Sequence, residues 1–198
     1  MRVISGSAKG RKLKSVPGDS TRPILDRVKE SLFNILSEDI ADTRWLDLFA
    51  GTGQVGIEAL SRGAAEVVFI DMTKAAIRTI YANLKHCQLM QGAQVLQSDS
   101  FGFLERLGSG QSNQGKFDFI FVAPPQYLDM WKKALRQIDD DPQQFLLEYG
   151  QVIVQIDPSE YFEEGDGGWR PKNLELVDER KYGRTLMLFY EMAEPDQS

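Results

Sequence analysis

A glycine loop between two regular elements constrains the fold of this chain more than any other feature. The segment LDLFAGTGQVG contains Gly51, Gly53 and Gly56 at G-x-G-x-x-G spacing, after a short apolar run and before a helical pattern. Glycines at this spacing let a ligand lie against bare backbone at the carboxyl edge of a parallel sheet. The segment therefore predicts the strand, turn and helix of a Rossmann-like fold that binds a nucleoside.

Strand patterns and helix patterns alternate along the rest of the chain. Five apolar runs bounded by glycines and polar residues predict strands, at 44–50, 66–71, 93–99, 117–123 and 149–157. Residues 173–192 predict two further strands around a turn at Gly183. This order predicts an α/β fold with a seven-stranded, mostly parallel sheet and an antiparallel C-terminal hairpin. We expect the acidic run 139–141 to form a solvated turn, because like charges repel when buried.

Composition limits the class of protein. The chain has 198 residues, of which 42% are apolar and 26% charged, as is ordinary for a globular domain. The sequence contains neither an apolar run of membrane-spanning length nor a secretion signal, so we expect a cytoplasmic protein without a membrane partner. One Cys and one His argue against a disulfide and a zinc site, so we expect no metal. We also expect a monomer.

Basic residues are concentrated near the N-terminus. Residues 1–30 hold eight Lys and Arg against three Asp and Glu, a net charge of +5, whereas the remainder carries −11. A basic arm on an acidic body binds phosphates locally, while the body's field discourages indiscriminate nucleic-acid binding. The candidate phosphate-binding residues are Lys9, Arg11, Lys12, Lys14, Arg22 and Arg27.

Three carboxylates near strand ends indicate which cofactor the glycine loop binds. Asp71 lies twenty residues after Gly51, where a carboxylate accepts both hydroxyls of a ribose. Asp47 would face an ammonium group and would repel a pyrophosphate, which favours S-adenosylmethionine over a nicotinamide dinucleotide. Asp99 is placed to accept from the adenine amino group. The expected cofactor-binding residues are Asp47, Phe49, Gly51, Gly53, Asp71, Met72, Asp99 and Ser100.

Four segments resemble, in order and spacing, the bacterial 16S ribosomal RNA guanine-N2 methyltransferases of the RsmD type. They are TRPILDRVKESLFNIL, LDLFAGTGQVGIEALSRGA, FDFIFVAPPQ and KYGRT, and the likeness covers nearly the whole chain. The resemblance implies a class I methyltransferase that transfers a methyl group from S-adenosylmethionine to the exocyclic N2 amino group of a guanine in small-subunit ribosomal RNA. It further implies a basic RNA-contacting element at 1–20, a methyltransferase domain at 21–193 and a tail at 194–198. The implied partner is ribosomal RNA or the small ribosomal subunit.

The chain departs from this family at the end of the fourth predicted strand. The family has Asp-Pro-Pro-Tyr or a close variant there: the Asp and the first proline's carbonyl accept from the target amino group, and the aromatic ring stacks on the extruded base. Here Ala123 has no side-chain oxygen and Gln126 replaces the aromatic residue. Tyr127 follows one residue late, and Asp129 is a more distant carboxylate. The expected catalytic residues are Ala123, Pro124, Pro125, Gln126 and Tyr127.

Other functions stay open because of Ala123. One charge-assisted hydrogen bond contributes roughly 1.5–3 kcal/mol and positioning roughly 7–11 kcal/mol, so we expect slower or altered transfer rather than none. A catalytically weak or silent RNA-binding or ribosome-assembly protein that retains the fold is one alternative, and an amino methylase acting on DNA is another. A nicotinamide oxidoreductase is disfavoured by Asp47 and by the absence of an obvious proton-relay pair.

Overall fold

Helices and strands alternate along the part of the chain that this computed structural model describes, residues 1–17, 24–36, 40–126, 128–162 and 169–194. The helices are α1 Asp26–Leu36, α2 Gln54–Ser61, α3 Lys74–Cys87, α4 Ser100–Gly108, α5 Met130–Asp139 and α6 Pro158–Phe162. The strands are β1 Arg44–Asp47, β2 Glu66–Asp71, β3 Ala93–Gln97, β4 Phe117–Val122, β5 Leu146–Ile156, β6 Leu174–Tyr182 and β7 Thr185–Met192. The predicted seven-stranded, mostly parallel sheet with an antiparallel C-terminal hairpin is confirmed.

Residues 1–100 form the first of two units. Its strands are parallel in the order β3-β2-β1, with Asp47 beside Phe69 and Asp71 beside Gln97. Strand β2 is mostly apolar, and its Val67 and Val68 are fully buried, as expected for a strand of a parallel sheet that is covered on both faces. Because the three strands run in the same direction, the chain leaves all of them at one carboxyl edge, which we call the first edge.

Helix α2 packs against β2 at a glycine. A Cβ at Gly56 would lie 2.3 Å from the ring of Phe69 and 2.7 Å from a methyl of Val67. Any larger residue would push the helix away from the strand. At Gly53 the backbone φ is +74°, which is strained for most L-residues. Packing therefore explains the glycine at position 56, and the turn explains the glycine at position 53.

The basic N-terminal residues pack onto this first unit through a buried carboxylate. Glu58 of α2 is fully buried, and its carboxylate accepts from the N–H groups of Ile4 at 2.8 Å and Ser5 at 2.9 Å. The ammonium of Lys29 lies 3.0 Å from the same carboxylate and donates to the carbonyl of Arg2 at 2.7 Å. Burial lowers the pKa of Lys29, and Glu58 opposes that shift. Lys29 is therefore a structural cation that solvent and a polyanion do not reach.

Residues 101–198 form the second unit, with strand order β4-β5-β7-β6. Strands β4 and β5 are parallel, with Val122 beside Val154, and β5 and β7 are antiparallel, with Ile156 beside Leu186. The carboxyl ends of β4 and β5 therefore share an edge with the β6–β7 turn, and we call it the second edge. The domain division at 1–20, 21–193 and 194–198 stays a prediction.

The acidic run 139–141 is not a solvated turn throughout, so that prediction is wrong. Asp139 is buried, and its carboxylate accepts from the backbone N–H groups of Lys172, Asn173 and Leu174 at 2.8–3.0 Å. These donors compensate for its burial and fix the chain where it enters β6. Asp140 and Asp141 are exposed, as expected.

One helix and several strand boundaries differ from the sequence prediction. Helix α4 was not predicted, although it buries Phe103, Leu104 and Leu107 on one face. Strand β1 ends at Asp47 rather than at residue 50, and β5 begins at Leu146 rather than at residue 149. No helix within the described ranges is long and apolar enough to cross a membrane.

Candidate functional site

The carboxylate of Asp71 organises the glycine loop at the first edge. One oxygen accepts from the N–H of Gly51 at 3.0 Å. The other accepts from the N–H of Thr73 at 2.8 Å and from its hydroxyl at 3.0 Å. Thr73 in turn caps α3 by accepting from the N–H of Ala76 at 3.2 Å. Three donors therefore fix the Asp71 carboxylate, and its remaining lone pairs suit ligand hydroxyls.

Asp47 is a buried carboxylate at the end of β1. Only 3% of the residue is exposed, and one oxygen accepts from the N–H of Gly56 at 3.3 Å. Burial raises the pKa of Asp47 to about 7; the Gly56 N–H opposes this shift and the charge of Asp71 adds to it. Among the described residues no Lys or Arg forms an ion pair with Asp47. A cationic ligand group would supply the missing charge, so the site suits an ammonium better than a pyrophosphate.

The other predicted cofactor-binding residues surround these carboxylates to different degrees. Phe49 is half-buried, whereas Met72 is 65% exposed and Asp99 is exposed after β3. Ser100 is buried, and its hydroxyl donates to the carbonyl of Leu48, so it supports the loop after β1. The structure thus brings the predicted set together within the first unit, around the first edge.

Sequence reasoning missed Gln54, the first residue of α2. Its side chain is 6% exposed, and its Oε1 has no hydrogen-bond partner in the described part of the chain. A buried acceptor without a donor is costly unless a ligand or water provides one. In the sequence, only the position of Gln54 directly after Gly53 indicates a role at the glycine loop.

The end of β4 is neutral. Ala123 is half-buried, Pro124 is buried, and Pro125 and Gln126 are exposed. Tyr127 lies outside the described residues. The more distant carboxylate, Asp129, is 70% exposed at its side chain and forms an ion pair with Lys132 at 3.2 Å. The rigid proline backbone is present at the second edge, but no side-chain carboxylate follows β4 directly.

The N-terminal element forms a charged cleft. The cleft has a volume of about 510 Å³ and is lined by Lys9 and Arg27 together with Asp26 and Glu30. Asp26 is engaged by Arg2, whose Nε lies 3.3 Å from its carboxylate. Lys9 and Arg27 are exposed, so their charges are accessible to an anion from solvent.

The remaining predicted basic residues divide into two groups. Lys12 and Lys14 are exposed. Arg11 is half-buried at the end of α3, where its guanidinium donates to the carbonyl of His86 and to Oε1 of Gln88. Cations stabilise the C-terminus of a helix, so Arg11 has a structural role already. Arg22 lies outside the described residues.

No metal cluster is present in the ranges that the structure describes. No group of three or more His, Cys, Asp or Glu side chains there is arranged to hold an ion. The single Cys, Cys87, is buried on α3.

Comparison with known proteins gives a consistent result over nearly the full length. Residues 1–191 match the family model described as Conserved hypothetical protein 95. A Bacillus subtilis protein named putative rRNA methyltransferase YlbH is 41% identical over 191 residues, which are 96% of this chain and 98% of that protein. The Haemophilus influenzae ribosomal RNA small subunit methyltransferase D is 38% identical over 137 residues, 68% of each chain. A solved structure titled putative methyltransferase yhhF from Escherichia coli has a TM-score of 0.79, with 31% identity and 97% coverage of each chain.

Proposed function

Because this chain belongs to the family described as Conserved hypothetical protein 95, the RsmD family, we propose that it transfers a methyl group to the N2 amino group of a guanine in small-subunit ribosomal RNA. The chain is an S-adenosylmethionine-dependent methyltransferase, and ribosomal RNA is the substrate that its relatives' names give. The guanine N2 position is the specific part of the proposal. It rests on the resemblance of the sequence motifs.

The observation that carries the cofactor assignment is the buried carboxylate of Asp47. With a pKa raised to about 7 and no cationic partner among the described residues, Asp47 suits the ammonium of S-adenosylmethionine. Asp71, already fixed by the glycine loop, would accept the ribose hydroxyls, and Asp99 the adenine amino group. When bound, this cofactor supplies a methyl group on a positively charged sulfur.

The end of β4 would position the target base. An exocyclic amino nitrogen is a poor nucleophile, because its lone pair is delocalised into the ring. Acceptors for its N–H groups favour the pyramidal form and direct the lone pair outward. The carbonyl of Pro124 is one acceptor, while Gln126 and Tyr127 would shape the pocket for an extruded base.

The N-terminal element would hold the RNA backbone. Lys9 and Arg27 line the charged cleft, and Lys12 and Lys14, which follow Lys9 closely in the sequence, are exposed. Such residues bind phosphates with an affinity that falls as salt rises. Arg22 belongs to the same proposed phosphate-binding set. Arg11 belongs to it as well, although its guanidinium already donates to His86 and Gln88 at the end of α3. We place this reaction in the cytoplasm and assign it to a monomer.

Transfer of labelled methyl groups tests this function. The substrate is small-subunit ribosomal RNA or the small subunit itself, isolated from cells that lack the protein, with S-adenosylmethionine as donor. We expect incorporation at one guanine N2 with the wild-type protein and strongly reduced incorporation with Asp47→Asn. Incorporation at another atom would correct the target, and incorporation that Asp47→Asn leaves unchanged would remove the cofactor assignment.

A second candidate function follows from Ala123. Because this residue offers no side-chain acceptor, the chain also fits an RNA-binding protein that has lost the transfer step. Such a protein would bind S-adenosylmethionine and RNA and would show no incorporation on either substrate. The same assay therefore separates the two candidates when calorimetry of both ligands accompanies it.

A further inference from the structure

Gln155 lies at the second edge beside Ala123. Val122 of β4 pairs with Val154 of β5, and the same register continued by one residue places Ala123 next to Gln155. Adjacent strands lie about 4.8 Å apart, and residues at paired positions point to the same face of the sheet. The side chain of Gln155 therefore flanks the methyl group of Ala123, where the family's Asp would extend.

The amide of Gln155 has an unused acceptor. Its Oε1 is buried and has no hydrogen-bond partner in the part of the chain that the structure describes. Native proteins retain few such atoms, and each calls for a reason. The side chain as a whole is half-buried, and the last torsion of a glutamine is broad and roughly two-fold. The oxygen can therefore turn toward the open side of the edge without breaking a hydrogen bond.

We propose that Gln155 supplies the second acceptor for the target amino group, in place of the carboxylate that Ala123 lacks. The inference rests on the proposed function and names a catalytic residue for it. The Pro124 carbonyl and the Gln155 oxygen together accept the two N–H groups of the guanine. The nitrogen lone pair then forms the N–C bond as the S–C bond breaks, S-adenosylhomocysteine departs, and the nitrogen releases one proton to water.

A matched pair of variants on β5 tests the role in transfer. Gln155→Met removes the amide at similar volume, and it should fold because it also removes a buried acceptor without a partner. Gln151→Met is the control: Gln151 lies on the same strand and the same face, also has an unpaired Oε1, and sits beside Phe119 instead of the strand end.

We expect Gln155→Met to lower kcat about three- to tenfold, the effect of one neutral hydrogen bond, with the Kd of S-adenosylmethionine unchanged. Gln151→Met should keep the wild-type kcat. Equal kcat values for the two variants would overturn the inference. If the wild type itself transfers no methyl group, the proposed function fails, and the two failures are thus distinguishable.

Restoring the family's carboxylate gives a second readout. Ala123→Asp introduced into Gln155→Met should raise kcat at least to the wild-type value, because the carboxylate occupies the same place as the lost amide. A double variant no faster than Gln155→Met would contradict this placement.

A binding measurement tests the contact without methyl transfer. The probe is an RNA fragment centred on the methylated guanine, compared with the same fragment carrying inosine, which lacks the 2-amino group. The wild type and Gln151→Met should prefer guanine about two- to tenfold, and Gln155→Met should lose most of that preference. An unchanged preference in Gln155→Met would overturn the inference.

Discussion

The first and second edges of the molecule differ in charge. At the first edge, Asp47 and Asp71 end two parallel strands, and backbone or hydroxyl donors fix both carboxylates. At the second edge, the neutral Ala123 follows β4, and the carboxylate that follows β5, Asp157, already forms an ion pair with Arg184 at 3.4 Å. Under the proposed function, the first edge would hold a cation with many donors, whereas the second edge would hold one neutral amino group. Binding of the cofactor and transfer of the methyl group are therefore separable properties of this chain.

The strongest loss is expected at the buried carboxylate that joins the N-terminal element to the first unit. Glu58→Ala leaves Lys29 buried without its partner and leaves the N–H groups of Ile4 and Ser5 without an acceptor. Removing one member of a buried ion pair costs about 3–5 kcal/mol. Denaturant unfolding should show a decrease of this size in the free energy of unfolding.

The control for Glu58 is a partly exposed carboxylate in the same unit. Glu66 pairs with Arg44 at 2.7 Å, with both side chains about a quarter exposed. Glu66→Ala should cost below about 1 kcal/mol, because solvent screens such pairs. Similar losses for Glu58→Ala and Glu66→Ala would show that the N-terminal element does not depend on the buried pair.

Removal of Asp71 should weaken cofactor binding without a matching effect at the second edge. Asp71→Ala loses a charged acceptor for ligand hydroxyls and releases Gly51 and Thr73. We expect the Kd of S-adenosylmethionine in calorimetry to rise about ten- to a hundredfold, as for a lost charge-assisted hydrogen bond. Asp129→Ala, at an exposed carboxylate of the second unit, should leave that Kd unchanged. An equal loss in both variants would erase the distinction between the edges.

Cofactor affinity should depend on pH through Asp47. The pKa of this carboxyl is raised to about 7, so the group is mostly neutral at pH 6 and ionised at pH 8. A cationic ligand requires the ionised form, so affinity should rise about tenfold from pH 6 to pH 8. Calorimetry should show proton release on binding near pH 6, and Asp47→Asn should abolish it. A flat profile in the wild type would mean that Asp47 does not face the ligand's cation.

The raised pKa of Asp47 affects the stability of the ligand-free protein in the opposite direction: its free energy of unfolding should fall as pH rises. A carboxyl whose pKa is raised on folding contributes stability that is present at low pH and is lost as pH rises through about 7. Unfolding free energies measured from pH 5 to pH 8 should therefore decline more in the wild type than in Asp47→Asn. A parallel decline in both proteins would assign the pH dependence to other groups.

The smallest effect concerns single phosphate contacts. Lys9→Gln should reduce the slope of log affinity for RNA against log salt by about 0.7–0.9, the contribution of one phosphate. Lys116→Gln is the control, at an exposed residue before β4 in the second unit. Filter binding between about 50 and 200 mM salt measures both slopes. Identical slopes for the two variants would remove Lys9 from the RNA-binding set.

Local patterns in the sequence were sufficient for the fold class and for the positions of the residues at the first edge. The glycine spacing and the positions of Asp47 and Asp71 follow from one continuous segment and its next strand, and the fold built from them is confirmed. The N-cap of α3 at Thr73 is likewise a local feature, because capping depends on a few adjacent residues.

Contacts between distant parts of the chain were beyond those patterns. Glu58 is an unremarkable helical acid in the sequence, and only the fold brings it to Ile4, more than fifty residues away. The sequence predicts a solvated Asp139 because its hydrogen-bond donors lie at residues 172–174, more than thirty positions away. That Gln155 lies beside Ala123 can likewise be inferred only once the β4–β5 register is known.

One measurement tests the central claim most directly: mass spectrometry of 16S ribosomal RNA from cells with and without this gene, digested to nucleosides and to mapped fragments. The proposed methylation predicts one N2-methylated guanine that is present with the gene and absent without it, and restored by the wild-type protein but not by Asp47→Asn. Identical modification in the two strains, or a difference at an atom other than an exocyclic amino nitrogen, would contradict it.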